Sequence, residues 1–154
     1  MSYLGAIASS RRQGSPTFDS GLIINGTHDD ATNIEVISEW TVTTGVDGVA
    51  NFPDNGIAGE IIYDLSSDIV EGNTYTLTFD LVGATGTGRF ALDGYSATVG
   101  QMRQFLGNAN YSTGTITINF SVGAGDVAYS RIQFRASSAS ASAFTIDNLS
   151  LTQQ

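Results

Sequence analysis

The chain's single histidine, His28, lies beside two carboxylates, Asp29 and Asp30, the smallest grouping here that could support histidine-based acid–base chemistry. No nucleophile accompanies it. No serine sits in a nucleophile-elbow pattern, and "GYSAT", Gly94 to Thr98, lacks the second glycine that motif needs. The glycine-rich "GATGTGRF" is followed by no Gly-Lys-Ser/Thr and lies between strand patterns, so it is not a phosphate loop. Fifteen acidic residues always allow some carboxylate pair to be named, so glycosidase chemistry, which needs two facing each other across a cleft, gains nothing from the count. The chain reads as non-catalytic.

A second polar pair, Asp147-Asn148, interrupts the closing segment "FTIDNLSL". Phe144 and Ile146 share one parity, Leu149 and Leu151 the other, so the apolar side changes face at the pair. Successive strand side chains point to opposite faces, and the switch therefore predicts a bulge or bend. Short polar side chains commonly hydrogen-bond local backbone at such a bend.

The elements that position these residues are strands. The 154-residue chain falls within the range of one domain, and 18 glycines with only two prolines among many Thr, Ser, Val and Ile residues favour short strands and tight turns over helices. In "TYTLTFDL", Tyr75, Leu77, Phe79 and Leu81 face one way while Thr74, Thr76, Thr78 and Asp80 face the other. "TITINFSV" repeats the pattern with Ile116, Ile118, Phe120 and Val122. Leu22 to Ile24, the parity set Ile34, Val36, Trp40 and Val42, then Ile61 to Leu65, Phe90 and Leu92, Ile132 and Phe134, and the closing segment complete eight or nine strands. Half-polar strands of this kind pack as two antiparallel sheets, face to face. The expectation is an all-β, two-sheet sandwich over residues 21–154, with Trp40 in its core. Residues 1–20, small, polar and aperiodic, form an extended N-terminal arm. "ASSASASA", Ala136 to Ala143, reads as a loop or edge strand.

Charge narrows the partners. Six arginines, no lysine and a net charge of −9 repel phosphate backbones and anionic membrane surfaces. The absence of cysteine removes disulfides, thiol catalysis and cysteine-ligated zinc. The opening "MSYLGAIASSRRQG" does not read as a secretory signal, because its apolar part is short and Arg11-Arg12 follow it.

The order of "LIINGTHDD", "EWTV", "VEGNTYTLTFDL", "GTITINFSV", "SRIQFR" and "FTIDNLSL" resembles the family 4, 9 and 22 type of carbohydrate-binding module, a jelly-roll sandwich. That resemblance implies a structural calcium ion held by Asp29 or Asp30 together with Asp147. It also implies sugar binding through exposed aromatic rings. The candidates outside the alternating core pattern are Tyr95, Phe105 and Tyr111, in "DGYSATVGQMRQFLGNANYS", with Arg103, Gln101, Gln104 and Asn108 adding polar contacts.

The arm followed by a sandwich resembles accessory virion proteins of tailed bacteriophages. The functional expectation is a non-catalytic virion protein, a capsid decoration or tail or fibre component, located on the particle and homo-oligomeric. In it Tyr3, Leu4 and Ile7 of the arm fill pockets on other virion proteins while Arg11 and Arg12 meet acidic surface. The alternative is a free-standing, calcium-stabilised, lectin-like module that binds cell-surface glycan.

Overall fold

The computed structural model describes residues 21–53, 55–83, 85–96, 98–136 and 143–154. The N-terminal arm, with Tyr3, Leu4, Ile7, Arg11 and Arg12, and most of "ASSASASA" lie outside the described residues. Ten strands run in chain order: β1 Ile34–Ser38, β2 Thr41–Thr43, β3 Val49–Phe52, β4 Gly59–Ile69, β5 Thr74–Gly83, β6 Thr87–Ser96, β7 Gln101–Ser112, β8 Gly114–Ser121, β9 Tyr129–Ala136 and β10 Phe144–Gln153. They form two five-stranded antiparallel sheets, ordered β1-β4-β9-β6-β7 and β2-β3-β10-β5-β8. This is the expected two-sheet sandwich, here called sheet I and sheet II.

Alternation places the core. Tyr75, Leu77, Phe79 and Leu81 of β5 are fully buried against Ile61 and Tyr63 of β4, Phe90 and Leu92 of β6, and Ile132 and Phe134 of β9. Each such side chain contributes roughly 2 kcal/mol through removal from water. Phe79 meets Phe134 edge-on at 5.2 Å and Phe90 at 5.5 Å, so rings from both sheets interlock across the layer. Trp40, Phe52 and Phe144 form a second aromatic group, with centroids about 5.4–5.5 Å apart.

Three elements differ from the sequence reading. The parity set from Ile34 to Val42 is not one strand. Glu39 adopts a φ of 61°, which turns the chain from β1 in sheet I to β2 in sheet II. Trp40 is buried at that crossing as expected, but Val36, on its parity, is exposed on edge strand β1. Leu22 to Ile24 make isolated bridges, Gly21 to Leu151 and Ile23 to Leu65, rather than a strand of their own. The segment Asp93 to Ser112, placed outside the alternating core pattern, is largely regular, because it contains the end of β6, a turn and all of β7.

The bend at Asp147-Asn148 is present. The pairing of β10 with β5 slips between Asp147 and Ser150, and Asn148 takes a φ of 52°. Leu149 N then donates to Gly26 O at 2.8 Å, which ties the bend to the opening turn. Gly48 closes the same corner: a Cβ built there would lie 2.3 Å from the backbone oxygen of His28. Backbone cannot give way as a flexible side chain can. Gly48→Ala is therefore expected to lower the unfolding free energy by about 2 to 4 kcal/mol. Urea unfolding checks this, and a midpoint indistinguishable from the parent would contradict it.

Candidate functional site

The outer face of sheet I collects the polar side chains that strand alternation turns away from the core. Because β4, β9 and β6 are neighbours in regular register, their outward residues form rows. Asp64, Arg131 and Tyr95 stand opposite one another, with Met102 of β7 beyond Tyr95. In the next row come Glu35 of β1, Ile62, Gln133, Asp93 and Gln104. A third row holds Glu60, Arg135 and Ala91.

Exposure falls towards the middle of this face. Gln133 and Asp93 are each 2% exposed and Ile62 6%, although all three lie on the outward parity of their strands. The arginines around them are pinned by carboxylates. Arg131 Nε lies 2.7 Å from Asp64 Oδ1 and its Nη1 lies 2.8 Å from Glu35 Oε2. Its guanidinium also stands 6.0 Å from the centre of the Tyr95 ring. Arg135 donates twice to Asp93, from Nε to Oδ2 at 3.0 Å and from Nη2 to Oδ1 at 3.2 Å. Burial pushes the Asp93 carboxyl above its ordinary pKa, and the Arg135 contact opposes that rise. Arg89 lies on the same outward parity of β6, and its buried Nε has no partner.

Gln133 is the anomaly of the face. Its side chain is buried although alternation turns it outward, and its cross-strand partners are Ile62 on β4 and Asp93 on β6. The flat Tyr95 ring and the fixed guanidinium forks beside Gln133 are arranged in advance for a ligand with hydroxyl groups.

The residues nominated from sequence do not all gather here. Tyr95 is on the face. Phe105 is turned to the inner side, stacked 4.5 Å from Phe120 and edge-on to Tyr129 at 5.5 Å. It lies over Gly94, where a Cβ would come within 2.5 Å of its ring. Tyr111 stacks at 4.5 Å on the buried Phe90, and burial raises its phenol pKa. Arg103 forms an ion pair with Asp126 in the turn after β8. Gln104 faces outward beside Asp93, Asn108 is exposed on β7, and the Gln101 side chain lies outside the described residues. Sequence reasoning missed Gln133, Arg131 and Arg135. Their signal was the wet parity of "SRIQFR", opposite Ile132 and Phe134.

The acids proposed for calcium have separate partners. Asp30 accepts from Asn25 Nδ2 and Thr32 N, both at 2.7 Å, and Asp29 accepts from Thr27 Oγ1 at 3.0 Å. Asp147 Oδ1 accepts from Asn148 N at 2.7 Å and lies 3.2 Å from Nδ1 of the fully buried His28. Calcium takes six to eight oxygen ligands. Among the described residues no group of three or more His, Cys, Asp or Glu side chains is placed to hold a metal.

His28 Nε2 stands 2.8 Å from the Tyr63 hydroxyl. A carboxylate only accepts, so neutral His28 donates from Nδ1 to Asp147 and accepts from Tyr63 at Nε2. A proton added at Nε2 would displace the Tyr63 hydrogen into the core. Desolvation accordingly lowers the His28 pKa, against the raising effects of the Asp147 hydrogen bond and charge and of Asp29.

No protein-family model matches the chain, and no curated protein does. Solved structures do. A family 29 carbohydrate-binding module in complex with cellulohexaose shares 13% identity at a TM-score of 0.56, over 86% of this chain and 88% of that one. The enzymatically active domain of bacteriophage CBA120 tailspike protein 4 shares 19% identity at 0.60, over 91% of this chain but 22% of that one. An arabinose-bound α-L-arabinofuranosidase shares 12% at 0.61, over 91% of this chain and 27% of that one. The fold is that of a carbohydrate-binding-module jelly roll.

The lowered His28 pKa fixes the sign of one pH effect. Below the ordinary value of 6.5 the unfolded chain takes up a proton that the folded chain resists, so stability falls as pH drops from 6.5 towards the folded pKa. Asp93, with its raised pKa, acts in the opposite sense. Comparison with His28→Gln isolates the histidine: the parent's urea midpoint should decline more steeply below pH 6.5 than the variant's. Parallel profiles would contradict the assignment.

Proposed function

We propose that this chain is a non-catalytic glycan-binding module whose ligand lies on the outer face of sheet I, over Gln133. The observation that carries the reading is the fixed polar cluster around the buried Gln133, made by Tyr95, Arg131 and the Arg135–Asp93 pair. Sugars suit such a face, because pyranose rings present flat apolar surfaces to aromatic rings and hydroxyl groups to amides and carboxylates. The face carries Glu35, Glu60, Asp64 and Asp93 against Arg89, Arg131 and Arg135, and its guanidiniums are largely engaged. Little positive potential remains for an anionic ligand, so a neutral glycan is the better fit.

A second reading concerns where the module works. The occurrence of the fold within a bacteriophage tailspike supports a virion setting, in which the arm of residues 1–20 anchors the sandwich to capsid or tail proteins through Tyr3, Leu4, Ile7, Arg11 and Arg12. The two readings combine as a particle-borne module that displays its sugar-binding face outward.

Titration calorimetry with cellohexaose and a panel of neutral polysaccharides tests the binding site. Gln133→Met should weaken binding by about 10- to 100-fold, the worth of one buried hydrogen bond. The same variant should be as stable as the parent or more so, since it removes a buried polar group. Silence across the panel, or a variant that binds as well as the parent, overturns the reading.

A further inference from the structure

We infer that the edge of β8 left unpaired among the described residues pairs antiparallel with β8 of a second copy of this chain. Four strand edges bound the two sheets, and three are blocked in recognisable ways. On β1 the register slips between Val36 and Ser38 and Glu35 is tied to Arg131. On β2 there are only three residues. On β7 the pairing with β6 slips twice and Arg103 is drawn to Asp126. Bulges, charges and shortness are the usual defences against edge-to-edge pairing.

β8 has none of them. It runs in unbroken register with β5 from Gly114↔Leu81 to Ser121↔Thr74 and contains no charged residue and no proline. In a chain of net charge −9, a neutral strand of this length is where a second acidic copy can approach. Among the described residues its backbone hydrogen bonds run to β5.

The strand is also complementary to itself. Directly opposed residues in an antiparallel pair share a face. With Ile118 opposite Ile118 of the second copy, Ile116 meets Phe120, Thr117 meets Asn119 and Thr115 meets Ser121. Apolar side chains then join apolar ones over the core, and hydroxyls and amides join on the wet side. A slip of one residue would set every polar side chain against an apolar one. This register leaves out Gly114, whose φ of 138° departs from strand geometry.

Antiparallel pairing of one strand with itself generates a two-fold axis perpendicular to the sheet. The outer faces of both copies of sheet I then point to the same side of the dimer. A multivalent glycan surface would meet two sites at once. The pairing itself rests on strand geometry, independently of the glycan reading.

Sedimentation across a concentration range, with circular dichroism and urea unfolding as fold controls, tests it. The parent should dimerise. Thr117→Lys with Asn119→Lys should be monomeric, and so should Thr117→Glu with Asn119→Glu, because like charges then face each other twice. An equimolar mixture of the two double variants should dimerise again, since each lysine then opposes a glutamate. A parent monomeric at its highest soluble concentration, a dimer that survives both double variants, or a mixture that stays monomeric would each overturn the pairing. Loss of glycan binding with the dimer intact would count against the face over Gln133 and leave β8 untouched.

Discussion

A buried polar bridge crosses the interior between the two sheets. His28 joins Asp147 of β10, in sheet II, to Tyr63 of β4, in sheet I. A buried phenol needs a hydrogen-bond partner, and a buried histidine needs two. These demands can be met together only if the opening turn, the β10 bend and β4 occupy fixed relative positions. Apolar packing of aromatic rings tolerates small slides between layers, whereas a hydrogen-bonded chain tolerates few. The bridge thus fixes where β4 stands, and β4 contributes Glu60, Ile62 and Asp64 to the outer face. Asn148 extends the same network to Asp80, which also accepts from Thr115 on β8.

The sandwich was legible because its signal is local. Period-two alternation over "TYTLTFDL" and "TITINFSV" states which side chains are buried without reference to any partner strand. The bend was legible for the same reason, as a change of parity within one segment. The outer face was not. Its members come from β1, β4, β9, β6 and β7, and no feature of a single strand says which others lie beside it. Gln133 illustrates the loss: its parity places it on the wet side, where exposure is the default, yet its neighbours leave it buried. β7 misled in the opposite direction. Two slips in its pairing with β6 destroy the alternation that would mark a strand, so Phe105 and Tyr111 read as exposed rings outside the core pattern when they are packed against Phe120 and Phe90. The break at Glu39 was hidden likewise, because a positive φ at a non-glycine residue has no strong sequence signal.

The two outer surfaces differ in kind. Sheet II shows Thr74, Thr76, Thr78, Thr115, Thr117, Asn119 and Ser121, hydroxyls and an amide that largely pair with one another across β5 and β8. Such pairs are satisfied within the sheet and ask little of a partner. Sheet I shows guanidiniums, carboxylates and an amide at varied depth, with a ring beside them. Among the described residues the second surface also holds a buried polar atom without a hydrogen-bond partner, Arg89 Nε, and that asymmetry is what separates a recognition face from a solvated one.

The arginines make the asymmetry workable. An ammonium group is a compact, strongly hydrated charge that moves freely on its stem, while a guanidinium holds a planar fork of donors. Arg131 uses its fork on Asp64 and Glu35 and its flat side near Tyr95, and Arg135 uses its own on both oxygens of Asp93. Exposed ion pairs contribute little to stability, so energy alone is a poor reason to build the two Arg131 contacts here. Their effect is positional. They hold donors, acceptors and ring edges still around Gln133, so a ligand that hydrogen-bonds the amide need not first order the side chains around it. Lysine in these places would leave the same formal charge and lose the geometry, and this chain contains none.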